Sequence, residues 1–208
     1  MIDHKETLKE KSPENQFWAF VRNYGFSTLP GLAFVILFVS PDAKSFVLRQ
    51  LMHTGLFNAS IDQVESDASN VPAVDFAFED SQGNIQNTAS LRGKVVFINF
   101  WASWCPPCRA EFPSIEALYS NYKDNPNMFF LMINEDNDLA AAHRYLEKEN
   151  YTVPFYKSKG NVSEEIYTGM LPTTIVLDKE GKVRLHHTGF ANYGSDKFMK
   201  QIEDLMRE

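Results

Sequence analysis

The chain contains two cysteines, Cys105 and Cys108, which are spaced C-x-x-C shortly after the apolar run Val95-Val96-Phe97-Ile98. A buried strand that leads through a short turn into a helix beginning at a cysteine places that sulfur at the helix N-terminus. There the unpaired N–H groups and the helix dipole stabilise a thiolate. The second thiol then lies one helical turn away, close enough to close a disulfide. The pair therefore predicts a thiol–disulfide redox site.

A zinc site and an inert disulfide are the alternatives to a redox site at these two cysteines. A zinc site needs two further ligands, and the histidines lack the spacing of a metal motif; His186 and His187, adjacent on a predicted strand, point to opposite faces. An inert disulfide across so short a loop constrains the unfolded chain little and contributes little stability. The redox site is the interpretation that we favour. The histidines considered as zinc ligands are His4, His53, His143, His186 and His187.

The sequence around the cysteines is specific. Residues 93–113 read GKVVFINFWASWCPPCRAEFP, residues 73–78 read AVDFAF, and residues 171–178 read LPTTIVLD. Together they resemble the TlpA/ResA branch of thioredoxin-like proteins, over about two-thirds of the chain (residues 72–208). The resemblance implies an α/β thioredoxin-like fold, with a central mixed sheet flanked by helices and an added N-terminal β-hairpin.

Hydrophobic periodicity gives a coarse order of elements for this region. We expect a central strand at 95–100, a helix at 106–122, a strand at 128–133 and a helix at 139–149, and this alternation implies parallel strand pairing. Two hairpins are expected as well, one joining 74–78 to 85–88 and the other joining 173–177 to 183–187. A closing helix is predicted at 196–207.

The chemistry can be assigned to single residues. Cys105, at the exposed start of the helix, is expected to be the nucleophile, and Cys108 the resolving thiol. Glu111 lies one turn further on, within reach of the Cys108 proton, and the resemblance assigns the matching glutamate that role. A solvated surface carboxylate is the alternative. Ordinary thioredoxins carry a buried aspartate where this chain has Asn99, which cannot exchange a proton, and Glu111 is therefore left as the base.

Other residues are expected to contact the substrate. The resemblance places Pro172 in a cis peptide opposite the cysteines, although an ordinary proline at the start of a strand is an alternative. Leu171 stands where the family often has Val, Ile or Thr, and its backbone would pair with an extended substrate. Trp101 fits either the rim of the site or the core. The predicted substrate contacts are Trp104, Pro106, Pro107, Leu171 and Pro172.

The composition is that of a protein with an ordinary packed core. The chain has 208 residues, of which 44% are hydrophobic, and a formal net charge of −7. Because no basic stretch is present, a nucleic-acid partner is not expected. No cofactor is expected beyond the redox-active disulfide itself. Since both cysteines belong to one motif, the cysteine count alone does not define the compartment.

The N-terminal part predicts a membrane anchor. Residues 26–40 carry no charge, and extending them back to Trp18 gives the roughly 20 residues that a transmembrane helix needs. A cleaved signal peptide is disfavoured by the long preceding segment and the lack of small residues at a plausible cleavage point. A lipoprotein signal is excluded, because it requires a cysteine just after the apolar run and no cysteine precedes Cys105. A buried helix of a soluble protein is the remaining alternative.

Basic residues on the two sides of the span predict its orientation. Four precede the uncharged residues 26–40 and two follow closely, which predicts an N-terminus in the cytoplasm and a redox domain in the periplasm or another extracytoplasmic space. The residues compared are Lys5, Lys9, Lys11 and Arg22, against Lys44 and Arg49. The predicted organisation is a cytoplasmic tail (1–17), a transmembrane or signal-anchor segment (18–40), a juxtamembrane amphipathic helix (41–57), a linker (58–71) and the redox domain (72–208).

The juxtamembrane helix has a defined start and two expected faces. Ser40 is a suitable N-cap, and Pro41 suits the first helical position. The expected apolar side is Phe46, Val47, Leu51 and Met52, and the expected polar side is Lys44, Arg49 and His53.

These inferences favour a membrane-anchored thiol–disulfide oxidoreductase. The resemblance implies that relatives reduce disulfides in exported proteins, including apocytochromes before haem attachment, with electrons from a membrane thiol reductase. Two alternatives are a non-catalytic thioredoxin-fold binding module with a vestigial disulfide, and a thiol peroxidase.

Overall fold

The computed structural model describes residues 30–36, 38–52, 54–61 and 73–208. The predicted cytoplasmic tail, most of the predicted span, residues 62–71 of the predicted linker, His4 and His53 lie outside the described residues. The chain divides into two compact units, Met1–Ala43 and Lys44–Glu208.

The described part of the first unit contains helix α1 (Pro30–Ile36), whose large apolar side chains are exposed. Helix α2 (Pro41–Met52) follows, and Ser40 Oγ accepts a hydrogen bond from the Ala43 N–H at 3.3 Å, as predicted for its N-cap. Within the described residues no single helix has the length and apolar character to span a bilayer. By length and composition, α1 and α2 pass that test only as a broken pair.

A four-stranded mixed sheet forms the centre of the second unit. Its strands are β3 (Val95–Trp101), β4 (Met128–Asn134), β6 (Thr173–Leu177) and β7 (Val183–Thr188), in the order β4-β3-β6-β7. β3 pairs with β4 in parallel, and β6 pairs with β7 antiparallel, as predicted. β3 also pairs antiparallel with β6, a pairing that the sequence did not specify. Every residue of β3 is buried, because both faces of the sheet are covered.

Three helices pack around this sheet, and their bounds agree with those predicted from the sequence. They are α3 (Pro106–Tyr122), α4 (Leu139–Glu149) and α5 (Asp196–Arg207). Alternate residues of β3 enter two separate hydrophobic clusters, with Val95 and Phe97 in one and Val96 and Ile98 in the other. Asn99 is two residues after Phe97 in the strand, so both side chains point to the same face of the sheet, which α3 covers.

A second sheet has three short strands, which are β1 (Ala77–Glu79), β2 (Ile85–Asn87) and β5 (Lys157–Lys159), in the order β2-β1-β5. β1 pairs antiparallel with β2 and with β5. β1 is shorter than the predicted strand at 74–78, because upstream of it the Phe76 N–H donates to Thr88 Oγ1 at 3.0 Å rather than to a partner strand. β5 was not predicted.

The segment before the redox domain also contacts it. The Ala59 N–H donates to Asn192 O at 3.0 Å, and the Asn192 N–H donates to Phe57 O at 2.7 Å. Within α2 the faces differ from those expected: Met52 is buried beside Ser45, whereas Phe46, Val47 and Leu51 are exposed. The expected apolar side is therefore divided between two faces.

Candidate active site

Cys105 and Cys108 form a disulfide at the start of α3, with their Cα atoms 5.3 Å apart. Cys105 is the N-cap residue, and its Sγ accepts a hydrogen bond from the Cys108 N–H at 3.2 Å. Pro106 and Pro107 occupy the first two helical positions, where a missing N–H costs nothing because those groups have no intrahelical acceptor. The structure thus places the Cys105 sulfur at a helix N-terminus, as the sequence predicted.

The two cysteines differ only slightly in exposure. Cys105 is 3% exposed and Cys108 is fully buried. The expectation of an exposed helix start is therefore wrong for Cys105 itself, which lies within the main hydrophobic cluster. The adjacent Trp104 is 61% exposed, and Pro106 and Pro107 are partly exposed. These three residues form a surface beside a nearly covered disulfide.

Glu111 lies one turn after Cys108 and is fully buried, which rules out a solvated surface carboxylate. Its Oε1 accepts from Asn99 Nδ2 at 2.8 Å, and its Oε2 accepts from the Ala191 N–H at 3.3 Å. Burial disfavours the charged form and raises the pKa of Glu111 from 4.5 to about 8, even though both hydrogen bonds act in the opposite direction. The site therefore holds a carboxyl group that can exchange a proton near neutral pH.

Several residues that support Glu111 were not found from the sequence. Asn99 Nδ2 also donates to Thr174 Oγ1 at 2.9 Å, which ties β3 to β6. Ser114 Oγ donates to the Glu111 carbonyl at 2.7 Å and accepts from the Tyr193 N–H at 3.1 Å. Burial raises the pKa of Tyr193 well above its usual value, and the charge of Glu111 adds to this effect. The Thr-Thr pair after Pro172 was a signal for Thr174, but no local pattern marks Tyr193.

The Leu171–Pro172 peptide bond is cis, as the resemblance implied. Thr173 pairs with Phe100 in the sheet, so Pro172 lies at the carboxyl end of β3, from which the chain continues to the cysteines. Pro172 is buried, and Leu171 is partly buried against both hydrophobic clusters.

The turn between β3 and α3 is held by Asp136, which no sequence pattern marked. Asp136 accepts hydrogen bonds from the Ser103 N–H and the Ser103 hydroxyl, each at 2.9 Å, and from Asn134 Nδ2 at 2.7 Å. Trp101, by contrast, belongs to the core: it is fully buried, and its ring lies 4.6 Å from that of Phe112.

Two of the described histidines, His143 and His186, contact an aromatic ring and a backbone carbonyl group. His186 Nε2 lies 3.0 Å from the Ile166 carbonyl oxygen, and the His143 ring contacts Phe155 edge-on at 4.7 Å. In the part of the chain that the structure describes, no group of three or more His, Cys, Asp or Glu side chains could hold a metal ion.

Comparison with known proteins agrees with this geometry. The Redoxin family profile matches residues 67–201. Thiol-disulfide oxidoreductase ResA of Halalkalibacterium halodurans is 33% identical over 133 residues, covering 63% of this chain and 75% of that protein. ResA of Bacillus subtilis (strain 168) is 30% identical over 129 residues, covering 62% and 72%.

Solved structures give the same result. A crystal structure of a candidate thiol:disulfide interchange protein DsbE from Chlorobium tepidum has a TM-score of 0.52 and 31% identity, covering 64% of this chain and 94% of that one. This chain therefore belongs to the Redoxin family and is a thiol–disulfide oxidoreductase of the ResA-like, thioredoxin-fold type.

Proposed function

We propose that this oxidoreductase reduces disulfides in exported proteins, including apocytochromes before haem attachment. The Cys105 thiolate attacks a substrate disulfide, one substrate sulfur leaves as a thiolate, and a mixed disulfide forms. Cys108 then attacks the Cys105 sulfur, the second substrate thiolate leaves, and the Cys105–Cys108 disulfide forms. Two electrons have passed to the substrate.

Glu111 serves as the base of the second step in this proposal. Cys108 has to lose a proton before it attacks, and it is buried one turn from the Glu111 carboxyl. With a pKa of about 8, that carboxyl is closely matched to a thiol, whose usual pKa is about 8.5. A close match favours proton transfer between the two groups.

The groups around the Cys105 sulfur support the reducing direction in this proposal. An oxidising site needs an over-stabilised thiolate, because stabilising the reduced form raises the reduction potential. Pro106 and Pro107 bring neither charge nor N–H donors. The guanidinium of Arg109, next to the disulfide in sequence, lies 4.8 Å from the centre of the Tyr145 ring. In this proposal the N-terminus of α3, where the Cys108 N–H donates to the Cys105 sulfur, supplies most of the stabilisation, and nearby arginines add little.

The reduction potential tests this direction. We expect the full chain to equilibrate with glutathione at a potential below about −200 mV, on the reducing side of protein disulfide isomerase. The fraction of disulfide is read by alkylation and mass at each glutathione ratio. A clearly higher potential would assign the protein to the disulfide-forming oxidants instead.

Substrate binding is proposed at the surface around the disulfide. Trp104, Pro106 and Pro107 offer apolar area, and the backbone of Leu171, before Pro172, would pair with an extended segment of the substrate. Such a surface suits unfolded or partly folded chains that carry a disulfide.

The proposed location is the outer side of a membrane, with an N-terminal anchor and a membrane thiol reductase as electron donor. Support comes from the uncharged residues 26–40 and from the basic residues that precede them. We expect a membrane-impermeant maleimide to label Cys105 of the Cys108→Ser variant in intact cells, in the membrane fraction. Labelling only after lysis would place the redox domain on the inner side.

A further inference from the structure

Helix α3 has a gap in its hydrogen bonding close to the cysteines. Pro113 lies inside the helix and has no N–H, so the carbonyl oxygen of Arg109, four residues earlier, lacks its regular intrahelical donor. Arg109 directly follows Cys108 and is 8% exposed. A buried carbonyl group without a donor costs free energy, and this one lies in the turn that carries the disulfide.

Arg49 of α2 provides the missing donors from 60 positions earlier in the chain. Its Nε and Nη2 donate to the Arg109 carbonyl oxygen at 3.2 and 3.0 Å. Nη2 also lies 3.4 Å from Glu149 Oε2 of α4, and the two side chains are only 26% and 21% exposed. A charged donor that makes two hydrogen bonds from a partly buried position holds its acceptor more firmly than a neutral one.

The face of α2 that carries Arg49 is turned towards the redox domain. Ser45, Arg49 and Met52 have the spacing of one helical face, and this face turns to the redox domain. Phe46, Val47 and Leu51 remain exposed, although burial of apolar area alone would turn them inward. The face that contacts the redox domain is therefore the one that carries Arg49, and not the one that carries Phe46 and Val47.

We propose that Arg49 is a positioning residue of the redox site. It completes the turn of α3 that Pro113 leaves open, and it thereby holds the Cys108 N–H against the Cys105 sulfur. Its positive charge, partly offset by Glu149, contacts Arg109 one turn after Cys105 and in this proposal adds a small Coulomb attraction for the Cys105 thiolate. The role applies to either direction of electron flow, because both directions use the same thiolate.

The test uses the full chain in a Cys108→Ser background, in which Cys105 is the one remaining thiol. We expect Arg49→Met to raise the pKa of the Cys105 thiol and to slow its alkylation at pH 7 by about two- to fivefold, the size of a charge effect at a helix end. Amide hydrogen exchange in residues 109–112 should become about tenfold faster. Compared with Arg49→Met, Arg49→Lys should bring the alkylation rate and the exchange rates part of the way back to the parent values. Arg144→Met, which removes an exposed arginine paired with Asp138, should change neither.

A double-mutant cycle separates this role from general stabilisation. Pro113→Ala restores an N–H that can donate to the Arg109 carbonyl, so Arg49→Met should lose at least half of its effect on exchange in that background. If Arg49→Met does not fold, Arg49→Gln, which keeps an N–H donor without the charge, takes its place. The proposal is overturned if Arg49→Met leaves the thiol pKa and the exchange rates at the parent values. It is also overturned if the effects of Arg49→Met and Pro113→Ala on the exchange rates are simply additive.

Discussion

Cys108→Ser is expected to accumulate mixed disulfides with substrate proteins, whereas Cys105→Ser should form none and should reduce disulfides only at the background rate. Cys105 caps α3, its sulfur accepts the Cys108 N–H at 3.2 Å, and it keeps a small exposed fraction. The helix N-terminus and this N–H favour a thiolate at Cys105, and the exposed Trp104 beside it marks the side from which we expect a substrate to approach. Cys108 is fully buried, so it can reach only a disulfide that Cys105 has already formed.

The measurement is the amount of protein in reducible, higher-mass adducts after rapid acid quenching of cells that express each variant. The variant with both cysteines replaced by serine is the control for adducts that do not involve this site. Mass spectrometry of the adducts then identifies the substrates, which we expect to be exported proteins. Equal trapping by the two single variants would contradict the assigned roles.

Glu111→Gln is expected to slow the resolving step by about a hundredfold, within the range that general base catalysis contributes. In the parent the rate of this step should rise with pH through an inflection near pH 8, because Glu111 accepts a proton only when ionised. In the variant that inflection is lost, and the rate should follow the free Cys108 thiolate to higher pH. Stopped-flow reduction of a model disulfide, with formation and decay of the mixed disulfide followed separately, gives both rates.

Glu147→Gln is the matched control, since Glu147 is an exposed carboxylate on the neighbouring helix α4. It should leave both rates and their pH dependence unchanged. The first step, attack by Cys105, should change little in Glu111→Gln. A rate–pH profile of Glu111→Gln that overlays the parent profile would show that Glu111 does not handle the proton.

The parts of the fold that could be predicted are those marked by local patterns. The apolar run of β3, the prolines at the start of α3 and the 3.6-residue periodicity of α4 and α5 each specify an element without knowledge of its neighbours. Strand β5 could not be found in this way, because Lys157-Ser158-Lys159 has no apolar alternation and its pairing with β1 is set by distant residues.

The residues of the candidate site can also be divided into those that local patterns identify and those that they do not. The cysteines and Pro172 belong to short motifs, and the sequence identifies them. The buried Glu111 carboxyl accepts hydrogen bonds from Asn99 and Ala191, which are 12 and 80 positions away, so the sequence left its protonation open. The contacts of Asp136 with Ser103 and of Arg49 with Arg109 join positions 33 and 60 residues apart, and no local pattern predicts them.

The buried carboxyl of Glu111 also lowers the free energy of unfolding as the pH rises. The unfolded chain releases this proton near pH 4.5, whereas the folded protein holds it until about pH 8. Below pH 4.5 Glu111 is protonated in both the folded and the unfolded state. Between pH 4.5 and pH 8 only the folded state keeps the proton, so the free energy of unfolding falls by about 1.4 kcal/mol for each unit by which the pH rises. Above pH 8 the loss is complete, on the order of 5 kcal/mol, which is large beside the roughly 5–15 kcal/mol that holds a typical domain together. At alkaline pH the protein is therefore less stable than it is with Glu111 protonated, and this weakness lies at the position where a buried proton acceptor is useful.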